Sequence, residues 1–159
     1  MKNERELNTE IVRSLKYYNF FAYKISDVMG SRFTETKPCD ILACSPHGEF
    51  IAIESKLMKK WQGFNKNVLR ENQIQTLNRI IRNSGRAFVF LGVSIKADKK
   101  KGIQKESWLI IFDWAIHKKA IMGKGYSPND LREGLVGDWR TNSKNSEGKI
   151  IWDIETLLE

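Results

Sequence analysis

The chain has 159 residues, 41% of them hydrophobic, and its 27 Lys and Arg against 19 Asp and Glu give a formal net charge of +8. That length fits one domain over residues 1–159, and no apolar run approaches the roughly 18 residues of a membrane span. The first residues lack the apolar segment of a secretory signal and the two cysteines make no disulfide scaffold, so we expect a cytoplasmic location, with a phage gene as one source. A basic balance is typical of proteins that bind a polyanion, most often nucleic acid, although solubility alone explains it equally well.

The first third of the chain predicts one helix and three strands. A stripe of apolar side chains at helical spacing predicts a helix over residues 4–18. Residues 20–25 predict a strand, and residues 26–38 predict a polar loop. Two apolar runs on either side of the turn sequence SPHG then predict an antiparallel hairpin within residues 37–56.

A second helix and another strand follow a basic and aromatic connection over residues 59–68. The spacing of Ile and Leu predicts the helix over residues 70–83, ended by Gly85. An apolar run predicts a buried strand over residues 87–93, and the lysine-rich residues 96–105 are typical of an exposed hairpin tip.

The last third of the chain predicts less regular structure. Residues 108–112 predict a strand, and Asp113 can cap a short helix that runs to Lys119. Five glycines and weak periodicity predict loops over residues 121–149, with one short helix at most, and residues 150–159 predict a short strand and a helical turn. The order α-β-β-β-α-β-β therefore predicts an α/β protein, with a mixed central β-sheet flanked by a helix on each face.

The end of the second hairpin strand carries an acid and a base that indicate a catalytic site. Side chains alternate along a strand, so Glu54 and Lys56 face the same way, and the turn brings Asp40 opposite them. Two nearby carboxylates repel each other unless a cation lies between them, and Mg²⁺ is the ion that suits oxygen ligands of this kind. Mg²⁺ beside a lysine is suited to hydrolysis of a phosphodiester. A surface salt bridge worth at most about 1 kcal/mol is the alternative.

These residues resemble the motif of the PD-(D/E)XK nuclease superfamily, through Pro38-Cys39-Asp40 and Glu54-Ser55-Lys56, with Cys39 inserted where the superfamily name implies adjacency. The resemblance implies a restriction-endonuclease-like fold in which Asp40 and Glu54 bind the metal and Lys56 assists the reaction. It also implies that a glutamate of the first helix completes the metal site, with Glu10 as the best match and Glu6 as the second choice. Mg²⁺ is the implied cofactor, and Mn²⁺ is expected to substitute for it.

The second predicted helix extends the resemblance. Gln73 opens the inward stripe of this helix, where an amide usually has a local hydrogen-bonding task, and helix capping is the simplest one. The run NQIQTLNRIIRNSGRAFVFLGV is similar to the helix and strand after the Glu-x-Lys pair of Holliday junction resolvases of the RecU and Hjc types, which implies a catalytic role for Gln73. The likeness covers about residues 6–116. It implies an endonuclease that cuts four-way DNA junctions in recombination and repair, and symmetric cutting of two strands implies a homodimer.

Basic and aromatic residues near the hairpin are candidate contacts to the DNA backbone. They either follow the Glu-x-Lys strand or precede Asp40, and they are Arg32, Lys37, Lys59, Lys60 and Trp61.

Other interpretations stay open at this point. One is another nuclease of the same superfamily, of restriction, flap-cutting or nicking type, and a further one is a DNA-binding module without catalysis. Cys39, Cys44 and His47 fall short of a structural zinc site, because no fourth ligand is near them in the sequence.

Overall fold

A computed structural model describes residues 1–26 and 37–158. Within these ranges the helices are α1 (Glu4–Tyr17), α2 (Glu71–Arg82), α3 (Trp114–Met122) and α4 (Pro128–Arg132). The strands are β1 (Phe21–Lys24), β2 (Ile41–Cys44), β3 (Phe50–Met58), β4 (Arg86–Ile95), β5 (Glu106–Asp113), β6 (Asp138–Arg140), β7 (Asn142–Lys144) and β8 (Ile150–Trp152). Over the part of the chain so described, no helix is both long enough and apolar enough to cross a membrane.

Six of the described strands form one mixed sheet in the order β1-β2-β3-β4-β5-β6. Neighbouring strands are antiparallel except for β3 and β4, which are parallel and are connected through α2. Strands β7 and β8 form a separate antiparallel pair. The predicted α/β fold with a mixed central sheet is therefore confirmed at the level of its architecture.

The two faces of the sheet carry separate hydrophobic cores. On one face, α1 packs through Leu7, Ile11 and Leu15 against the sheet and against Trp152 of β8. On the other face, α2 and α3 pack through residues that include Leu77 and cover β4 and its neighbours. Because side chains alternate along a strand, Ser55 of β3 faces α1, whereas its neighbours Glu54 and Lys56 lie on the side of α2.

The start of α1 follows from its sequence. Asn3 caps the helix, since its side chain accepts a hydrogen bond from the N–H of Glu6 at 2.9 Å. Glu4 and Glu6 lie in the first turn and Lys16 in the last turn, which suits the helix dipole at both ends. The predicted helix over residues 4–18 is confirmed, and its N-terminal turn becomes important for the site described below.

The predicted hairpin is confirmed, and its register places Asp40. Ile41 pairs with Ile53 and Cys44 with Phe50. The ladder continues one residue beyond β2, because the N–H of Asp40 donates to the carbonyl of Ile53 at 3.1 Å. On its other side, the carbonyl of Asp40 accepts from Ile25 N–H at 2.8 Å. Asp40 is therefore held by backbone hydrogen bonds on both sides, next to the middle of β3.

The end of α2 differs in detail from the prediction. The residue with a positive φ is Ser84, at +61°, whereas Gly85 was expected to end the helix. Gly85 is needed for a different reason, because a Cβ there would lie 2.8 Å from Ile80 Cγ2 and 3.2 Å from Phe50. The glycine therefore allows the close approach of the helix end to β3.

The segment 121–149 contains more regular structure than the sequence predicted. Besides the expected short helix α4, it contributes β6, whose residues pair with β5, and β7, which pairs with β8. Strands of three residues are too short to show an alternating pattern, so the prediction of loops was wrong here. Gly137 makes the approach to β5 possible, because its φ is +72° and a Cβ would lie 2.6 Å from Ile110.

Candidate active site

Asp40 and Glu54 are brought together at the middle of β3, as the sequence predicted. Ser55, which follows Glu54, donates its N–H to Asp40 Oδ2 at 2.9 Å. Both carboxyl groups are buried, Asp40 at 8% exposure and Glu54 at 1%. They are close enough for each to affect the pKa of the other. Two acids in a buried contact of this kind are rare in a purely structural role, since charged carboxylates are costly to bury without a partner.

The two acids have opposite pKa shifts. Burial acts to raise the pKa of Asp40, but hydrogen bonds from Lys37 and from Ser55 N–H outweigh it and hold that pKa below its usual range. Burial and then the negative charge of Asp40 raise the pKa of Glu54 to about 8, and Lys56 offsets only part of this effect. At neutral pH the metal-free pair therefore keeps its proton on Glu54 and its negative charge on Asp40.

Two ammonium groups flank the acid pair. Lys56 Nζ lies 3.4 Å from Glu54 Oε1, as expected from their spacing on β3. Lys37 Nζ lies 2.6 Å from Asp40 Oδ1, although the sequence suggested a contact to DNA for this residue. The structure thus assigns Lys37 to the acid pair, where it balances the charge of Asp40.

Gln73 joins the site through α2. Its carboxamide Oε1 accepts from the N–H of Arg70 at 2.8 Å, which caps the first turn of the helix. Its Nε2 donates to Glu54 Oε1. The oxygen of this carboxamide therefore caps the helix and its nitrogen contacts Glu54, while the catalytic role of Gln73 stays a prediction. Gln73 positions the Glu54 carboxyl against the start of α2.

Asn8 is a residue of the site that the sequence did not suggest. It is buried at 4% exposure on α1, and the Ser55 hydroxyl lies within hydrogen-bond distance of both Asn8 Oδ1 and Asp40 Oδ2. A hydroxyl has one proton to donate, so Ser55 donates to one of these oxygens at a time. Asn8 thereby connects α1 to the acid pair. The signal in the sequence was a polar residue between the apolar Leu7 and Ile11.

Glu10 is placed elsewhere. Its carboxylate accepts from the indole N–H of Trp152 at 3.0 Å and lies 3.7 Å from the amino group of Met1. Its pKa is raised, chiefly by burial. Glu6, the second choice, accepts from Lys2 N–H at 2.6 Å. Neither is brought to the acid pair by a described contact, and the described residues contain no group of three or more His, Cys, Asp or Glu that could hold a metal.

Glu4 is the first-helix glutamate that shares a cavity with Lys56. It lies one helical turn before Asn8. Its sequence position carries no signal for a role at the site, because an acid in the first turn of a helix is explained by the helix dipole alone. The face shared by Glu4 and Asn8 identifies the side of α1 that approaches β3.

The donor set fits a hard divalent cation. Asp40 and Glu54 supply carboxylate oxygens, and Mg²⁺ is commonly bound by one or two carboxylates together with water and substrate phosphates. Burial and, after it, the negative charge of Asp40 raise the pKa of Glu54, and a cation between the two acids would relieve the repulsion from Asp40. A soft metal fits less well, because Cys39 is buried, its thiol donates to the carbonyl of Ile41 at 3.3 Å, and burial raises the pKa of that thiol to about 12.

The predicted DNA contacts have different surroundings. Lys59 and Lys60 are exposed directly after β3. Trp61 is half-buried, stacks on Trp139 with ring centroids 5.6 Å apart, and donates its indole N–H to Glu106 at 2.8 Å. These contacts give Trp61 a role within the fold. In this segment, Lys59 and Lys60 therefore remain the predicted contacts to DNA. Arg32 lies outside the described residues.

Comparison with known proteins gives limited similarity. No family model matches the chain, and no curated protein matches it. Among solved structures, the chain is similar to Hjc, a Holliday junction resolvase of the archaeal hyperthermophile Archaeoglobus fulgidus. The identity is 21%, the match covers 80% of this chain and 98% of that chain, and the TM-score is 0.38. This overall likeness assigns no role to any residue of the chain.

Proposed function

We propose that the protein is a metal-dependent DNA endonuclease of the PD-(D/E)XK type, and that four-way junctions are its preferred substrate. The observation that carries the proposal is the buried pair of Asp40 and Glu54 with Lys56 Nζ 3.4 Å from Glu54. Burying two acids side by side raises the pKa of Glu54 to about 8, which is unfavourable in a purely structural pair and is typical of functional sites.

Asp40 and Glu54 would hold the metal, with Mg²⁺ as the expected ion and Mn²⁺ as a substitute. The bound ion would polarise the phosphate and lower the pKa of a water molecule. The other roles belong to backbone and side-chain groups of the chain itself. Ser55 N–H holds Asp40, Gln73 holds Glu54, and the Lys56 ammonium would orient the attacking water and offset negative charge in the transition state.

DNA is the substrate that suits the rest of the molecule. The net charge of +8 favours a polyanion, and the exposed Lys59 and Lys60 continue directly from the strand that carries Glu54 and Lys56. The preference for junctions comes from the sequence resemblance described above, so it needs its own test.

One gel separates the alternatives. A four-way junction, a flap, a linear duplex and a single strand, each with labelled ends, are incubated with Mg²⁺ or with EDTA. We expect Mg²⁺-dependent cuts placed symmetrically in the junction and little cutting of the duplex. Cutting of the flap or the duplex as fast as the junction would favour the other nucleases of the superfamily. Binding of DNA without cutting in any metal would favour a DNA-binding module.

Glu4 and Glu10 form a matched pair for testing the first helix. Glu10→Ala should lower the free energy of unfolding by about 1–3 kcal/mol, because the buried Trp152 indole loses its acceptor, and it should spare the metal dependence of cleavage. Glu4→Ala should change stability by less than about 1 kcal/mol, because Glu4 is exposed in the first turn. It should weaken cleavage at limiting Mg²⁺, because the Glu4 carboxylate lines the cavity with Lys56 and its negative charge would attract the cation. Urea unfolding and Mg²⁺ titrations of the cutting rate measure the two effects. If Glu10→Ala weakened cleavage at limiting Mg²⁺ and Glu4→Ala did not, Glu10 would be the glutamate of α1 that serves the metal site.

Salt should separate charge recognition from shape recognition. Affinity for DNA should fall as salt rises, and replacing both Lys59 and Lys60 by Ala should reduce the logarithmic salt slope by about one for each lost phosphate contact. Binding to the junction should persist to higher salt than binding to the linear duplex, since shape selectivity depends less on the number of charges. Fluorescence anisotropy over a salt series measures both slopes. If the affinities for junction and linear duplex fall in parallel as salt rises, the protein recognises charge alone.

The number of subunits is also predicted by the function. Two symmetric cuts in a junction need two active sites, so sedimentation should give a dimer at micromolar protein concentration. A monomer that stays monomeric on DNA would favour a nicking or restriction-type enzyme.

A further inference from the structure

A cavity of about 380 Å³ lies beside Lys56, whose ammonium contacts Glu54 of the acid pair. It is lined by the last three residues of β3 and by Leu91 of the parallel strand β4, and ligands commonly bind near the carboxyl ends of strands in open α/β sheets. Lys56 forms part of its wall, so the cavity is adjacent to the proposed catalytic residues. Its volume is at the small end of the roughly 300–1,000 Å³ range of ligand pockets. Such a space suits one nucleoside and is far too small for a duplex.

The lining of the cavity changes from apolar to polar between floor and rim. The floor includes Phe64 and Leu91, both fully buried. The exposed residues of the lining are the rim residues Gln62, Asn67 and Arg70, from the connection between β3 and α2, and Glu4 of α1, so the phosphate partner is Arg70 and not the Glu4 carboxylate. An apolar floor with a few convergent polar groups is the usual composition of a small-molecule site.

Each rim group suits part of a nucleotide. Carboxamides can donate and accept at once, which matches the edge of a base. A guanidinium binds phosphate oxygens in a bidentate manner. Arg70 also precedes the first turn of α2, a helix of 12 residues, so the positive end of the helix dipole adds to the attraction for phosphate.

We propose that this cavity receives a single unstacked nucleoside beside the phosphate that is cut, with Gln62 and Asn67 reading its base and Arg70 its phosphate. The inference rests on the proposed nuclease function and deepens it, because it gives the enzyme a preference for the base next to the cut. Unstacking a base is less costly where its stack is already interrupted, as at the centre of a junction, because the arms lose stacking there even though their bases stay paired. The cavity would therefore give the enzyme a preference for one base next to the cut and for cutting at the centre of the junction.

The probe is a four-way junction with 2-aminopurine at each central position in turn, because the fluorescence of this base rises when it leaves the stack. In EDTA, which prevents cutting, the wild-type protein should raise the fluorescence at one position. The double variant Gln62→Ala/Asn67→Ala should lose most of that rise. Gln75→Ala is the matched control, because its carboxamide lies on the exposed side of α2 against Glu71, and it should behave as the wild type.

A second readout uses cleavage. In Mg²⁺, junctions with randomised central bases should be cut with a preference at the same position, and the double variant should reduce that preference about tenfold, the size of one lost base contact. No rise in fluorescence at any position, or a rise and a preference equal in wild type and double variant, would overturn the proposal and leave the cavity as a solvated approach to the phosphate. Absence of cleavage with a rise that the double variant loses would instead contradict the nuclease and retain the pocket.

Discussion

Replacing Asp40 by Asn should lower the cutting rate by about 10³-fold or more while DNA binding is kept or becomes tighter. The substitution removes a metal ligand, and several kcal/mol of charge stabilisation are lost with it, at about 1.4 kcal/mol for each factor of ten. It also removes a negative charge close to the approaching phosphate, which explains the unchanged or tighter binding. The fold should survive, because the Asn carboxamide oxygen can still accept from Ser55 N–H.

Single-turnover cutting and anisotropy, measured on the same preparation, give the two quantities. Asp153→Asn is the matched control, because Asp153 is exposed in the segment after β8, and it should cut at the wild-type rate. Lys56→Ala should also lose cutting but should keep the Mg²⁺ requirement. Cutting by the Asp40 variant near the wild-type rate would remove the acid pair from the chemistry.

The second large effect is a pH dependence of stability that comes from Glu54. Its pKa is raised from 4.5 to about 8 in the folded protein, so between these pH values the folded state binds a proton that the unfolded state has released. The free energy of unfolding should therefore fall as pH rises through this window. The expected loss is of the order of 5 kcal/mol over the whole window, since one unit of pKa difference is worth about 1.4 kcal/mol and the pKa differs by about 3.5 between the two states. Asp40 contributes with the opposite sign and only at acid pH, because its pKa is lowered.

Urea unfolding at several pH values in EDTA measures this dependence. Glu54→Gln should remove most of the slope, because it keeps the shape of the side chain without a titrating proton. Saturating Mg²⁺ should also flatten the slope in the wild type, since the cation replaces the proton between the two acids. A wild-type slope that Glu54→Gln leaves unchanged would mean that Glu54 is already ionised in the metal-free protein.

Much of the fold could be predicted because long elements carry strong periodic signals. The helices over residues 4–18 and 70–83 and the long strands contain enough residues for the apolar pattern to appear. The hairpin was visible from its turn chemistry, and the position of the turn was enough to place Asp40 opposite the part of β3 that carries Glu54. Strands β6 and β7 were missed because three residues show no period, and their position depends on β5 and β8, far away along the chain.

The candidate site was predictable where its residues lie close in sequence. Asp40, Glu54 and Lys56 belong to one hairpin, so strand geometry alone places them together. The contribution of α1 was not predictable in this way, because the rotation of a helix against a sheet is decided by packing. That rotation directs Asn8 to Ser55 and Glu10 to Trp152.

The cavity likewise depends on the fold. Gln62, Asn67 and Arg70 lie in a connection without a periodic pattern, and only the return of the chain into α2 places them beside Lys56.

The central claim is that Asp40 and Glu54 hold a metal ion against the phosphate that is cut. Its most direct test replaces one non-bridging oxygen of that phosphate with sulfur. Single-turnover cutting of this phosphorothioate junction is compared with the normal junction in Mg²⁺ and in Mn²⁺. We expect one sulfur diastereomer to be cut slowly in Mg²⁺ and to recover in Mn²⁺, which accepts sulfur more readily. Equal cutting of both substrates in EDTA, or no cutting of any junction in either metal, would contradict the account.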